Sequence, residues 1–425
     1  MIIIHGMNNL ILPRTVFPRL KAMMRVMPAV VVSGARQTGK STLARSFGRA
    51  ETISGGTKTN RPNRRYMSLD DLDILDLARR DPNALVHGTG PLTLDEVQRE
   101  PEILGVVKHE IDRLRHPGRF LLTGSANLIL MGQVSESLAG RASYLTLWPM
   151  TRREQLGRGR CGVWEQLFET ADRDWLDVVA DSGGMQEDWQ ALARRGGFPV
   201  PAVHFTAPGD RAIWFDGYVQ TYLERDLQAL SSIAALPDFR RLMRVACLRL
   251  GTLVNQSRLG RDIGLRQPTV HRYLNLLETS YLLVRVPAYS VNRTKRLIKS
   301  PKLYWGDTGL AMHLAQEDIP RGAHLENLVL HDLLVWRDSR PVRAEVLHWR
   351  ATTGEEVDFV IESEGQLLPI EGKATKRPRL RDAAHLRTFR QEYGRAARSG
   401  LLLHGGNSLE WLTPEVLAAP WWMVI

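Results

Sequence analysis

Apolar and polar positions divide the chain into three patterns. In the first third, short apolar runs recur, each closing on small or acidic residues: "PAVVVSG" at 28–34, "GPLTLDE" at 90–96 and "GRFLLTG" at 118–124. Runs of this length read as buried strands. "TLARSF" at 42–47 continues the first of them with helical character, and "ASYLTLW" after Arg141 is a further strand-like segment. Between 254 and 290 the period changes. Val270, Tyr273, Leu274 and Leu277 fall at i, i+3, i+4 and i+7 and give "QPTVHRYLNLLETS" one apolar face. Ser257 is placed to cap a short preceding helix, Gly264 to end it, and Pro268 to occupy the first turn of the next. "YLLVRVPAY" follows as a strand, which completes a winged helix-turn-helix pattern. Near the end, the helical "HLENLVLHDLLVW" precedes "EVDFVIES" at 356–363, which alternates like a strand, and "GQLLPIEGKAT" at 365–375 returns as the second arm of a hairpin.

The first pattern carries chemistry. "GARQTGKS" follows the first strand and opens a helix, matching G-x-x-x-x-G-K-[ST] in the strand–loop–helix context this motif needs. Gly34 and Gly39 let backbone amides curl around phosphate oxygens, with Ala35, Arg36, Gln37 and Thr38 forming the loop between them. Lys40 supplies charge for the β- and γ-phosphates, Ser41 offers a hydroxyl to Mg²⁺, and Thr42 continues the helix start. Asp95, ending an apolar run, is placed to hold Mg²⁺, and Glu96 to polarise an attacking water. Thr123 and Asn127 end the third strand, where a polar side chain can sense the γ-phosphate. Arg141 sits in a small-residue turn. It can stabilise transition-state charge in its own subunit or a neighbour's, or form a structural surface ion pair.

The last pattern carries a second candidate centre. Strand alternation puts Glu371 and Lys373 on one face, with Asp358 beside them across the hairpin. Two carboxylates can hold Mg²⁺, Lys373 can activate water at a phosphodiester, and Glu326 on the preceding helix can complete the cluster. The alternative is two acids and a lysine making surface pairs on an exposed hairpin. This segment looks like the D…E-x-K core of restriction-endonuclease-like folds, although Val357 stands where a proline is common before the aspartate. Off the apolar stripe of the central helix, Gln267, Thr269, His271 and Arg272 are positioned to meet bases or phosphates if that unit reads DNA. The alternative for it is a lid or subunit contact.

Nearly the whole chain resembles the bacterial and archaeal AAA-family ATPases whose long C-terminal half is a domain of unknown function. The motifs that carry the resemblance are "SGARQTGKST", "YMSLDD" at 66–71, "LDEVQ" at 94–98, "LLTGSAN" at 121–127, "SLAGR" at 137–141, "LWPMTRRE" at 147–154, "GGFP" at 196–199 and "YLERDL" at 222–227. It implies an α/β chain: a P-loop parallel-sheet ATPase domain over 1–150, a helical connector over 151–210, a winged-helix domain over 211–310 and a nuclease-like α/β domain over 311–425. The expected cofactors are ATP and Mg²⁺.

Composition adds a partner class. The 425 residues include 57 Lys and Arg against 46 Asp and Glu, a formal net charge of +11. This favours a polyanion, DNA or another nucleic acid first. The basic runs 292–302 and 373–381 are candidate phosphate contacts. Two cysteines, Cys161 and Cys247, fit a reducing compartment. The leading "MIIIHGMNNLILPR" is too short for a membrane span and has no basic leader or cleavage site, so a cytoplasmic protein without a membrane partner is expected. The functional expectation is a Mg²⁺-dependent AAA-type ATPase acting on or near DNA. The alternatives are a nucleotide-switched scaffold controlling a protein partner and an ATP-gated nuclease. A homo-oligomer is implied only by the neighbouring-subunit role of Arg141.

Overall fold

The computed structural model describes residues 11–54, 63–124, 138–221 and 235–425, the side chains of 49–54 excepted. The apolar runs of the first third become a five-stranded sheet: β1 Ala29–Ser33, β2 Arg65–Ser68, β3 Leu92–Asp95, β4 Phe120–Thr123 and β5 Ala142–Thr146. Their order is β2-β3-β4-β1-β5, and every pairing is parallel. Strand alternation explains why β1 is apolar throughout. Ala29 and Val31 face one core with Ile103, Leu104, Val107 and Ile111, while Val30 and Val32 face another with Leu20, Met24, Leu43 and Phe47. Parallel strands end on the same side, so Ser33 of β1 and Asp95 of β3 open onto one edge with β4 between them.

Two central helices form where the sequence predicts them, at Gln256–Ile263 and Gln267–Thr279, and a further helix, Leu236–Leu248, precedes them. Val270, Tyr273, Leu274 and Leu277 are buried, and Gly264 adopts the left-handed cap at φ 73°. The cap expected at Ser257 is instead Asn255, whose side chain accepts the amide of Arg258 at 2.8 Å. Two residues of similar capping strength stand two positions apart, and the helix starts from the first. The antiparallel pair β6 Leu283–Val286 and β7 Lys302–Trp305 follows. Most of the basic run 292–302 folds as the short helix Arg293–Ile298 between these strands.

The C-terminal sheet has the order β12-β13-β11-β10-β9-β8. Its strands are β8 Ala344–Arg350, β9 Glu356–Ser363, β10 Gln366–Lys373, β11 Gly400–His404, β12 Glu410–Thr413 and β13 Val416–Pro420. The first three pair antiparallel, and β10, β11 and β13 run parallel. The helix Gly322–Ser339 precedes β8, and the helix Ala384–Tyr393 joins β10 to β11. One apolar core runs from Trp164 and Trp175 through Tyr273 and Trp305 to Trp336 and Trp421, so the segment after β5, the central helices and this sheet share an interior. Buried Arg152 and Arg153 reinforce the join by donating to the carbonyls of Trp422, Met423, Val424 and Ile425. No helix among the described residues is long and apolar enough to cross a membrane.

Candidate functional site

At the carboxyl edge of the first sheet, β1 turns sharply into the helix Lys40–Ser54. Gly34 has φ 146°, and a Cβ there would lie 2.3 Å from the carbonyl oxygen of Leu147, so no side chain fits. Gln37 and Gly39 also take positive φ, 61° and 94°, which curls the loop amides inward. Ala35 is buried and its carbonyl accepts from Thr38 Oγ1 at 3.0 Å, while Arg36 is half-buried with its carbonyl 3.5 Å from Tyr218 Oη. Lys40 is 5% exposed and folds back over the loop, its Nζ 2.7 Å from the Ala35 carbonyl and 3.2 Å from that of Gly34. Burial lowers its pKa to about 8, although Glu96 and Asp95 pull the other way. Thr42 is exposed, and its carbonyl accepts from Ser46 Oγ at 2.8 Å.

The acids arrive from β3. Ser41 Oγ donates to Asp95 Oδ1 at 3.1 Å, and Tyr66 Oη donates to Oδ2 at 2.5 Å. Thr123 of β4 also bonds Oδ1, and its hydroxyl faces the amide of Glu96 at 3.4 Å. Asp95 is therefore held by hydroxyls from three elements. Glu96 adopts φ 59°, rare for a residue with a side chain and common where a site imposes the geometry. Burial raises its pKa, Lys40 opposes that, and Gln98 Nε2 bonds its carboxylate. The loop, the hydroxyl of Ser41 and the paired Asp95 fit a phosphate chain with its divalent ion, because a cradle that admits no Cβ and a hydroxyl–carboxylate pair sit beside one buried ammonium.

Arg141 lies elsewhere. It precedes Ala142, which pairs with Ala29 at the opposite end of β1, about 13 Å from the loop at strand rise. It makes a two-point ion pair with Asp112, at 2.6 and 2.9 Å. An own-subunit role for Arg141 is thereby corrected, since it stands at the start of β5, on the sheet edge opposite the loop, and its guanidinium is engaged there. Asn127 and "YLERDL" lie outside the described residues.

Three residues at this site were assigned no role from the sequence. Arg14 donates to the Thr38 carbonyl at 2.8 Å and the Trp148 carbonyl at 2.6 Å while pairing with Glu154 at 3.2 Å, which braces the loop from behind. Tyr66 stood within a family motif but with no role. Tyr281, just before β6, meets Ser33 Oγ at 2.9 Å and packs edge-on to Trp148. The "GGFP" motif is explained by approach: a Cβ on Gly196 would lie 2.5 Å from Asp307 Oδ1, and one on Gly197 2.4 Å from the Met150 carbonyl.

The second centre assembles at β9 and β10. Asp358 and Glu371 are buried, Gly372 N donates to Asp358 Oδ2 at 3.0 Å, and Lys373 Nζ donates to Glu371 Oε1 at 2.6 Å. Glu326 lies against Gly372 and accepts from Tyr304 Oη at 2.9 Å. Burial, reinforced by Asp358, lifts the pKa values of Glu326 and Glu371 above the usual carboxylate range. All four expected residues therefore meet. The metal expectation is corrected: among the described residues no three His, Cys, Asp or Glu side chains surround one point as an ion requires. The physical reason is that lysine ammoniums and a tyrosine hydroxyl occupy the acids, with Lys302 Nζ 2.9 Å from Asp358.

The basic runs are thinner than their sequence suggests. Arg296 is buried and paired with Glu345 and Glu362, and Lys302 is buried, which leaves Arg293, Lys295 and Lys299 exposed. In the second run Lys376, Arg377, Arg379 and Arg381 are exposed. Gln267, His271 and Arg272 also face solvent, and Thr269 is half-buried.

Comparison with known proteins places these sites in context. Residues 27–156 match a family described as an AAA domain, residues 186–320 a domain of unknown function (DUF8612), and residues 321–423 another domain of unknown function (DUF4143). The chain is 32% identical over 369 residues to the uncharacterized protein Rv2008c of Mycobacterium tuberculosis, covering 85% of this chain and 73% of the relative. Among solved structures it is similar to the Walker-type ATPase PABY2304 of Pyrococcus abyssi, with TM-score 0.42, 16% identity and coverage of 71% and 98% of the two chains. It is also similar to the ORC2 protein of Aeropyrum pernix, with TM-score 0.38, 13% identity and coverage of 77% and 98%.

Proposed function

Because the chain belongs to the family of P-loop AAA-domain ATPases that carry a C-terminal domain of unknown function, we propose that it binds ATP with Mg²⁺ at the loop 34–41 and hydrolyses it there. The observation that carries this reading is the meeting, across β4, of the Gly34–Ser41 loop with Asp95 and Glu96, sealed by the Ser41–Asp95 bond. Bound Mg²⁺ neutralises phosphate charge and polarises the terminal phosphoryl group. The loop amides bind the phosphates, and Lys40 leaves its two carbonyls to meet them. Asp95 is oriented by Ser41, Tyr66 and Thr123. Glu96 takes the proton from water, and Gln98 holds its carboxylate in place. Arg141 acts, in this reading, only on a neighbouring subunit's nucleotide, in a homo-oligomer.

The output is read by the C-terminal half. Ser33, the residue before the loop, touches Tyr281 at the start of β6, which favours a switch that transmits nucleotide state into the central helices and hairpin. Exposed Gln267, His271 and Arg272 and the exposed parts of the two basic runs support a nucleic acid, with DNA first, as what that half meets. The ATP-gated nuclease is less well supported, because the acids of the second centre are engaged by protein donors.

Steady-state phosphate release and binding of a fluorescent ATP analogue test the reading. Lys40→Ala is expected to lose both. Glu96→Gln is expected to keep binding and lose on the order of 100-fold in turnover, the usual worth of a general base. Normal turnover by either folded variant removes the assignment.

A further inference from the structure

The C-terminal centre departs from a metal site because of one side chain that comes from outside its own sheet. Lys302, the first residue of β7, is 2% exposed. Its ammonium lies 2.9 Å from Asp358 Oδ1 and 2.5 Å from Glu356 Oε1. Burial would lower its pKa, but Asp358, Glu326 and Glu356 outweigh that and raise it, so it is charged where it sits. Two residues on, along the same face of β7, Tyr304 holds Glu326, while Lys373 holds Glu371. Four acids are thus engaged by two lysines and one tyrosine. An unpaired buried lysine would be strongly disfavoured, and so would the acids without it.

The strand pair that delivers Lys302 also touches the phosphate loop. The β6–β7 register pairs Leu283 with Trp305 and Val286 with Lys302, so Tyr281 and Asp307 lie at one end and Lys302 at the other. At the first end Tyr281 bonds Ser33, and Asp307 accepts the amide of Gly197 at 2.6 Å. Gly197 leads into Pro199, whose Cγ is 3.8 Å from where a Cβ on Gly39 would stand. The strands span about 10 Å at ordinary rise, so a tilt at the loop end displaces the ammonium at the other.

We propose that Lys302 is the built-in cation of the C-terminal centre: carried by the β6–β7 pair, it excludes a divalent metal from Glu326, Asp358 and Glu371 and ties that centre to the phosphate loop. A metal enters only when the pair withdraws the ammonium. The tie to the loop rests on the nucleotide-site reading above; the exclusion of metal does not.

The test uses the full chain and Mn²⁺ as probe, with bound ion counted by electron paramagnetic resonance in the absence of nucleotide. Wild type is expected to bind no tight Mn²⁺, Lys302→Met to gain one ion per chain, and Lys302→Met/Asp358→Asn to lose it again. Equal Mn²⁺ binding by wild type and Lys302→Met, or no gain in a folded Lys302→Met, overturns the exclusion. Wild-type protein supplies a second measurement if the variant does not fold. Amine acetylation read by mass spectrometry should find Lys302 protected relative to Lys295 and Lys299, and a non-hydrolysable ATP analogue should change the Lys302 rate in wild type but not in Lys40→Ala. Labelling of Lys302 as fast as Lys299 overturns its burial in the centre, and a rate unmoved by analogue in protein shown to bind it overturns the tie. Failure of wild type to bind the analogue at all falls on the nucleotide-site reading instead, and the Mn²⁺ result still decides the role of Lys302.

Discussion

Lys40 makes nucleotide affinity depend on pH in a direction the structure sets. In the chain alone its pKa is lowered to about 8, burial being the main cause. Phosphates stabilise the charged form, so binding raises the pKa again. A group whose pKa rises on binding gives its full contribution below the free value and loses it as pH climbs past that value. With a free pKa of about 8, the lysine is about nine-tenths charged at pH 7, half at pH 8 and about one-tenth at pH 9, so affinity should fall about tenfold between pH 7 and 9. Fold stability moves the opposite way in the same region. The unfolded chain holds this proton up to pH about 10.5 and the folded chain only to about 8, so wild type should gain stability relative to Lys40→Met as pH rises between them. The assays are titration of a fluorescent ATP analogue from pH 7 to 9.5 and urea unfolding of both proteins over the same range. The terminal phosphate, whose pKa is about 6, completes most of its change below this window and gains charge, rather than losing it, over the remainder. An affinity that stays flat to pH 9.5 refutes the reasoning, for it would mean that the ammonium is either not buried or not on the phosphates.

Two further outcomes follow from the same contacts. Tyr66→Phe removes one of the three hydroxyls on Asp95, a charge-assisted bond of about 1.5–3 kcal/mol, so turnover should drop by about tenfold or more and recover partly at high Mg²⁺; unchanged kinetics would leave Tyr66 as packing alone. Neutralising Arg293, Lys295 and Lys299, or Lys376, Arg377, Arg379 and Arg381, should flatten the salt dependence of nucleic-acid binding with basal hydrolysis near normal, and an intact protein that binds neither duplex nor single-stranded DNA at low salt would remove nucleic acid as partner.

What could be read from the sequence was local. The phosphate loop was legible because its two glycines, lysine and serine lie within eight positions, and the backbone geometry they impose needs no distant partner. The strand pair 356–363 and 366–373 was legible because alternation and an intervening turn fix a hairpin by themselves. What failed depended on direction or distance. Arg141 follows a turn much as a catalytic arginine would, but parallel pairing places it at the wrong end of β5. Arg14, Tyr66 and Tyr281 reach the site from 24, 29 and 248 positions away; nothing in the neighbourhoods of Arg14 and Tyr281 marks them, and the motif around Tyr66 assigns it no role.

Lys302 shows why a charge run misleads most. In sequence it closes a basic segment and looks like one more phosphate contact. Folding puts its backbone in a strand whose face is set by alternation with Tyr304, and that face meets acids more than 50 positions away. Arg296 of the same segment is likewise drawn to Glu345 and Glu362. Arg119, Arg152 and Arg153 are also buried, on backbone carbonyls and internal acids. The excess of +11 therefore overstates the field a polyanion meets only if the matching acids are exposed, and here they are not all so: Glu326, Asp358 and Glu371 are turned inward with their lysines. Internal pairs cancel on both sides, so the outer surface keeps a net positive balance, and it is carried by fewer residues than the sequence displays. If a polyanion binds as proposed, the exposed members of the two short runs and the face of the helix Gln267–Thr279 are where substitutions should separate its binding from hydrolysis.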